Sequence, residues 1–288
     1  GLIQACRAQN KMDAVVRAIR TFQDRWPDHE LGPKLYLWLG ETLVQQGKLT
    51  AAEDAFKRLL DEPDSVIREA ALYFIAQSTM QRGRTQKALA LYRTLAEKPF
   101  DSEHQYRPYA VYAIGAHAQH GGNAETARTM FRRLADEAEY VPRALQEEAL
   151  FRLAQTLFGE GKYAEAIVQY ESLLVEFPEG PFAREARKRR LWAHYQLNHY
   201  DRAVELAAQW LERYSGDAEY EVVFIQAASH LAEERFQKAQ DLFGRLGMLA
   251  EVPPVYRRSA RYHQIYCAVM VGKYDEVRQL AEAFLADF

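Results

Sequence analysis

"GKYAEAIVQYESLLVEFP", residues 161–178, starts with a Gly-Lys pair, runs through an amphipathic stretch and ends on a proline. Used as a ruler, it finds copies of itself along the chain: "GKLTAAEDAFKRLLDEP" (47–63), "GRTQKALALYRTL" (83–95) and "GNAETARTMFRRL" (122–134). Fainter copies are "NKMDAVVRAIRTFQDRWP" (10–27), "NHYDRAVELAAQWLERY" (198–214), "ERFQKAQDLFGRL" (234–246) and "GKYDEVRQLAEAFL" (272–285). The first residues of the copies are Asn10, Gly47, Gly83, Gly122, Gly161, Asn198, Glu234 and Gly272, spaced by 36 to 39 residues. Self-similarity at a period of 20–50 residues is the mark of a repeat architecture.

Each anchor reads as the turn between two amphipathic helices, because Gly or Asn accepts the left-handed conformation that ends a helix. Five residues on stands a small side chain where paired helices must approach closely: Ala52, Ala88, Ala127, Ala166, Ala203 and Ala239. Four further on is a large one, Phe56, Tyr92, Phe131, Tyr170 or Phe243. Upstream of the second anchor, Tyr36, Leu39, Gly40 and Leu43 form an i, i+3, i+4, i+7 face. Proline-bearing segments such as "FPEGPF", "YVPR" and "EVPPVY" fall between the copies, where no helix should continue.

On these residues the sequence resembles the tetratricopeptide repeat family. Repeat two carries Tyr36, Leu39, Gly40, Leu43, Ala52 and Phe56; repeat five carries Leu150, Leu153, Ala154, Leu157, Ala166, Tyr170 and Pro178. The resemblance implies an all-α, right-handed α-solenoid of helix-turn-helix repeats with a period of 36–39, forming a single superhelical domain over 1–288. A partial repeat at 1–31 precedes repeats at about 32–68, 69–107, 108–146, 147–183, 184–219, 220–257 and 258–288. The period exceeds the family's usual 34, and Arg187 and Arg190 stand where that pattern is normally apolar. Spacing and the "FPEGPFAREA" connection look like the bacterial envelope branch, which includes outer-membrane assembly lipoproteins and a periplasmic partner of the Tol–Pal system. That resemblance favours the periplasm or envelope, with the cytoplasm as the alternative.

Composition narrows the function classes. The 37 basic and 40 acidic residues nearly cancel, so no global field draws the chain to nucleic acid. No apolar run approaches a membrane span of about 18 residues. Cys6 and Cys267 make neither a disulfide framework nor a zinc site. "GEGK" (159–162) lacks the rest of a phosphate-binding loop, and Gly-Lys recurs as the hairpin turn. His117 with His120, and His263 with Cys267, share helix faces but have no third ligand nearby. No catalytic or cofactor motif is present, so a non-catalytic scaffold without cofactor or metal is expected. The end patterns suggest an excerpt of a longer protein; the alternative is a homodimer covering uncapped solenoid ends.

In the family's solenoids the first helix of each pair lines a concave groove. Ten residues before each anchor lie Leu37, Tyr73, Tyr112, Phe151, Lys188, Phe224 and Tyr262. Six before lie Glu41, Gln77, Ala116, Gln155, Trp192, Ala228 and Tyr266; three before, Val44, Met80, Gln119, Phe158, Tyr195, Leu231 and Val269. The rings Tyr73, Tyr112, Phe151, Phe158, Trp192, Tyr195, Phe224, Tyr262 and Tyr266, with Lys188, make an expected groove for an extended peptide or partner protein, with Phe158, Trp192 and Tyr195 gathered at one level. Rigid aromatic rings give contact area at low entropic cost. The competing reading for each ring is packing between adjacent helices, and stacked rings would also suit a glycan. A third reading is the sensory or scaffold half of a larger regulatory or enzymatic protein. Only Lys188 fits the family's carboxylate clamp for peptide C-termini.

The run "REARKRRLWAHYQ" (184–196) sorts by helix face. Glu185 is placed to pair with Arg189, and Glu148 with Arg152, at i, i+4. Arg184 and Lys188 have no partner legible in the sequence, Arg184 reading as solvated and Lys188 as a lone cation among rings. Arg187 and Arg190 must snorkel outward or find carboxylates on the preceding helix.

Overall fold

A computed structural model describes residues 12–214, 220–248 and 251–287. Among the described residues there are helices and no strands. Helix α1 (Met12–Arg25) is followed by seven hairpins. These are α2 (Gly32–Gln45) with α3 (Leu49–Lys57), α4 (Ser65–Gln81) with α5 (Thr85–Ala96), and α6 (Tyr106–His120) with α7 (Ala124–Asp136). Then come α8 (Arg143–Gly159) with α9 (Tyr163–Glu176), α10 (Ala183–Gln196) with α11 (Tyr200–Arg213), α12 (Tyr220–Ala232) with α13 (Phe236–Met248), and α14 (Pro254–Val271) with α15 (Tyr274–Asp287). Contacts divide the chain into two compact units, Gly1–Arg152 and Leu153–Phe288.

The anchors end the first helix of every hairpin. Gly47, Gly83, Gly122, Gly161 and Gly272 have φ between 71° and 82°, and Asn198 and Glu234 follow at 60° and 56°; Asn10 lies outside the described residues. At Gly47 the anchor N–H donates to Val44 O (2.9 Å) and the next N–H, of Lys48, reaches back to Leu43 O (2.8 Å). The same pair of bonds recurs at all seven turns, satisfying carbonyls that a helix end otherwise leaves unpaired.

Small and large side chains lock five of the seven hairpins in the same way. Ala52, Ala88, Ala127, Ala166, Ala203 and Ala239 are fully buried, and so are Phe56, Phe131, Tyr170 and Phe243, with Tyr92 nearly so. A Cβ on Gly40 would lie 2.3 Å from the Phe56 ring, and one on Gly115 3.0 Å from Phe131. A ring on the second helix thus fills the space that a missing side chain on the first leaves open. In α10 and α11 the volumes exchange. Leu191 takes the small position, Ala207 takes the ring's, and both are fully buried in one cluster with Leu206, Trp210, Val222 and Ile225.

In the first unit, cores form around Leu39, Leu43, Phe56 and Leu59, and around Leu89, Tyr92, Leu95 and Ile114. In the second, Phe243, Leu246, Ala260 and Cys267 form a further core. Each large apolar side chain so buried contributes roughly 1.5–3 kcal/mol.

Candidate functional site

First-helix rings are best taken unit by unit. In the first unit, Tyr73 is half-buried and stacked on Tyr106 (5.0 Å between centroids, 22°), with Tyr109 and Tyr92 around it. Burial pushes its phenol up to about 12. Tyr112 lies 5.8 Å from Phe131, and its hydroxyl donates to Glu148, burial again raising the phenol to about 12. Phe151, expected in the groove, is 5% exposed and belongs to the core. These three rings are therefore spent on packing and on an internal hydrogen bond.

In the second unit the rings are more open. Trp192 and Tyr195, one turn apart on α10, meet edge-to-face (6.0 Å, 89°), and Tyr195 meets Tyr200 at 5.7 Å. Both are half-buried, one side resting on the α10–α12 core. Phe158 does not join them; it meets Tyr163 (5.1 Å), with the Arg189 guanidinium 6.0 Å away. Phe224 packs against Phe243 and Tyr256 at 5.7 and 5.3 Å. Tyr262 is 58% exposed and Tyr266 44%.

Lys188 is not a lone cation. Its Nζ lies 3.1 Å from Glu185 and 3.0 Å from Glu221, one repeat on, with the side chain 12% exposed. Two carboxylates cancel the charge that the sequence seemed to offer a ligand. The Glu221 end of that bridge crosses helices, which i, i+4 spacing on one helix cannot show. The intrahelical pairs are present as expected, Arg189 to Glu185 at 2.8 Å and Arg152 to Glu148 at 3.3 Å. Arg184 is exposed, with its guanidinium over the rings of Trp210 (5.3 Å) and Tyr214 (5.1 Å).

Arg187 and Arg190 take different routes. Arg187 donates to Tyr214 Oη (2.9 Å) and Pro178 O (2.7 Å). Arg190 approaches Glu171 on the preceding helix at 3.7 Å, and burial lowers the pKa of its guanidinium. The histidine pairs are occupied or apart from any cluster: His263 Nδ1 is 2.7 Å from Ser259 O and its ring stacks on Phe243. No group of His, Cys, Asp or Glu among the described residues could hold a metal ion. Burial pushes the Cys267 thiol up to about 11. No helix among the described residues is long and apolar enough to cross a membrane.

Two family models match the sequence: Tetratricopeptide repeat over residues 2–67, and Outer membrane lipoprotein over residues 143–241. The chain is built of tetratricopeptide repeats. Among solved structures, the C-terminal part of a TPR repeat-containing protein from Cytophaga hutchinsonii is similar with a TM-score of 0.65 at 12% identity, covering 88% of this chain and 96% of that one. A STAND signal-transduction ATPase with a tetratricopeptide repeat sensor, from Pyrococcus horikoshii, gives 0.58 at 14% identity, covering 96% of this chain and 45% of that one. PilF of Pseudomonas aeruginosa gives 0.51 at 14%, covering 79% and 95%. At these identities the likeness is one of fold. No curated protein shows significant similarity. Repeats of this kind generally serve as scaffolds for protein–protein interaction.

Proposed function

We propose that this tetratricopeptide-repeat chain is a non-catalytic scaffold that grips an extended segment of a partner protein on the first-helix face of its second unit. The carrying observation is the Trp192–Tyr195 pair, held edge-to-face with part of each ring open to solvent. α10 packs against α9, α11 and α12. Rings that are rigidly seated yet still open suit a binding hot spot, since little freedom is lost when a partner covers them. Tyr262 and Tyr266 extend the same register two hairpins on. Phe151 and Lys188 drop out of the contact set, because one is core and the other is neutralised.

The match of residues 143–241 to the outer membrane lipoprotein model supports a place in bacterial envelope assembly. That reading predicts capture of envelope proteins in a pull-down from a bacterial source. The double variant Trp192→Ala/Tyr195→Ala should lose the captured partner at least tenfold while keeping its helical signal. An unchanged capture refutes the face as the contact. Binding to a glycan array in place of protein would transfer the same rings to sugar recognition.

A further inference from the structure

The two arginines that break the repeat's apolar pattern open onto a cavity of their own. It measures about 420 Å³ and is lined by Arg187 and Arg190 of α10 and by Leu206, Gln209, Trp210, Glu212 and Arg213 of α11. At about 100° per residue, Arg190 sits roughly 200° around α10 from Lys188, so the cavity lies away from the ring face.

Two donors in its lining are unspent. Trp210 is 2% exposed and its Nε1 makes no hydrogen bond to any described residue. Arg190 Nε is likewise buried without a partner, and the nearest carboxylate oxygen to its guanidinium, on Glu171, is 3.7 Å away. Buried donors are nearly always paired, so two around one cavity call for an acceptor. Charge says which kind. Three guanidiniums face one carboxylate in the lining, and Arg187 spends its own donors on neutral oxygens. Arg213 is paired with Glu179 and Arg190 meets Glu171 only at 3.7 Å, so among the described residues Arg190 is loosely compensated and Arg187 bonds to neutral oxygens. Leu206 and the Trp210 ring supply an apolar wall beside the charges.

We propose that this cavity binds a small oxyanion, a phosphoryl or carboxylate group, on Arg187, Arg190 and the Trp210 indole N–H. Guanidinium and indole donors converging on one anion are charge-assisted and specific to oxygen acceptors. The apolar wall takes the body to which that group is attached.

The indole N–H of Trp210 is itself the reporter. The full chain has four tryptophans, so its indole resonance can be assigned in a 15N-labelled sample with Trp210→Phe. Titrations with inorganic phosphate, acetate and benzoate are run at constant ionic strength, with chloride as the balancing ion. A saturable shift of the Trp210 resonance is expected with phosphate or a carboxylate, weakened about tenfold or more in Arg190→Gln and also in Arg187→Gln, whose side chain is only half-buried. Preference for phosphate identifies the phosphoryl source; preference for benzoate over acetate identifies a carboxylate on an apolar body. A resonance that stays still, drifts without saturating, or responds equally to chloride in the wild-type chain overturns the proposal. So does a saturable shift that both folded arginine variants retain unchanged.

Discussion

Gly40 and Glu234 show how single positions are held by opposite demands. Gly40 exists because the Phe56 ring occupies the place of a Cβ, 2.3 Å from where it would stand, so Gly40→Ala forces ring or helix to shift. Overpacking of this kind costs about 1–3 kcal/mol, read as a lower urea midpoint at unchanged m-value. Glu234 adopts φ 56° at a turn where five equivalent positions use glycine. Left-handed backbone costs a residue with a Cβ roughly 1–2 kcal/mol, and glycine's extra freedom when unfolded returns part of that. Glu234→Gly should therefore raise the melting temperature slightly, whereas Gly161→Ala, at φ 75°, should lower it. A Glu234→Gly chain that melts earlier would show that the Glu234 side chain supplies something the turn needs.

Between elements, charge is used as cement. Glu69 of α4 and Arg107 of α6 are both buried and form a two-point pair (2.7 and 3.0 Å), joined by Lys98 at 2.7 Å. Arg107 also donates to Asp101 (2.6 Å) and Pro99 O (2.7 Å). Burial alone would raise the Glu69 pKa, but hydrogen bonds from Arg107 and Lys98 outweigh it and hold the carboxyl below its ordinary value of 4.5. Asp101 is lowered as well, its desolvation overcome by bonds from His104 and Glu103 and by Arg107. A carboxylate with a depressed folded pKa stabilises the fold fully above its unfolded value and loses that contribution as pH falls toward the folded one. The first unit should hold its stability down to about pH 4.5 and lose it below, with the slope reduced in Glu69→Gln. Arg107→Ala leaves a buried carboxylate short of its main partner and should cost about 3 kcal/mol by chemical denaturation. At the ring face, Trp192→Ala/Tyr195→Ala should change partner binding far more than stability, since both rings are partly open.

At the scale of the molecule, a solenoid's stability is a sum of repeat terms and neighbour terms, so damage stays local. Hydrogen exchange should locate the Gly40→Ala effect in α2 and α3 and leave amide protection in α12 and α13 unchanged. Uniform loss of protection through both units would mean a cooperative fold rather than an array.

The hairpin count, the turn positions and the buried small–large pairs were legible in the sequence, because left-handed turns accept few residues and close helix packing demands a small side chain at a fixed spacing. The pairings Glu185–Arg189 and Glu148–Arg152 were legible for the same reason: they lie one helical turn apart. Which groove rings are free was not. Phe151 and Phe158 are both phenylalanines on α8, yet one is core and the other half-open, and only the neighbouring helix distinguishes them. Lys188 read as a free cation until Glu221 arrived from the next repeat, 33 positions along the chain. Arg187 and Arg190 stood out as exceptions in the sequence, but their cavity needs Trp210 and Arg213 from the facing helix. Period and turn chemistry are local, so the sequence alone determines them; burial, neutralisation and cavities depend on what another helix brings, and tertiary structure alone decides those.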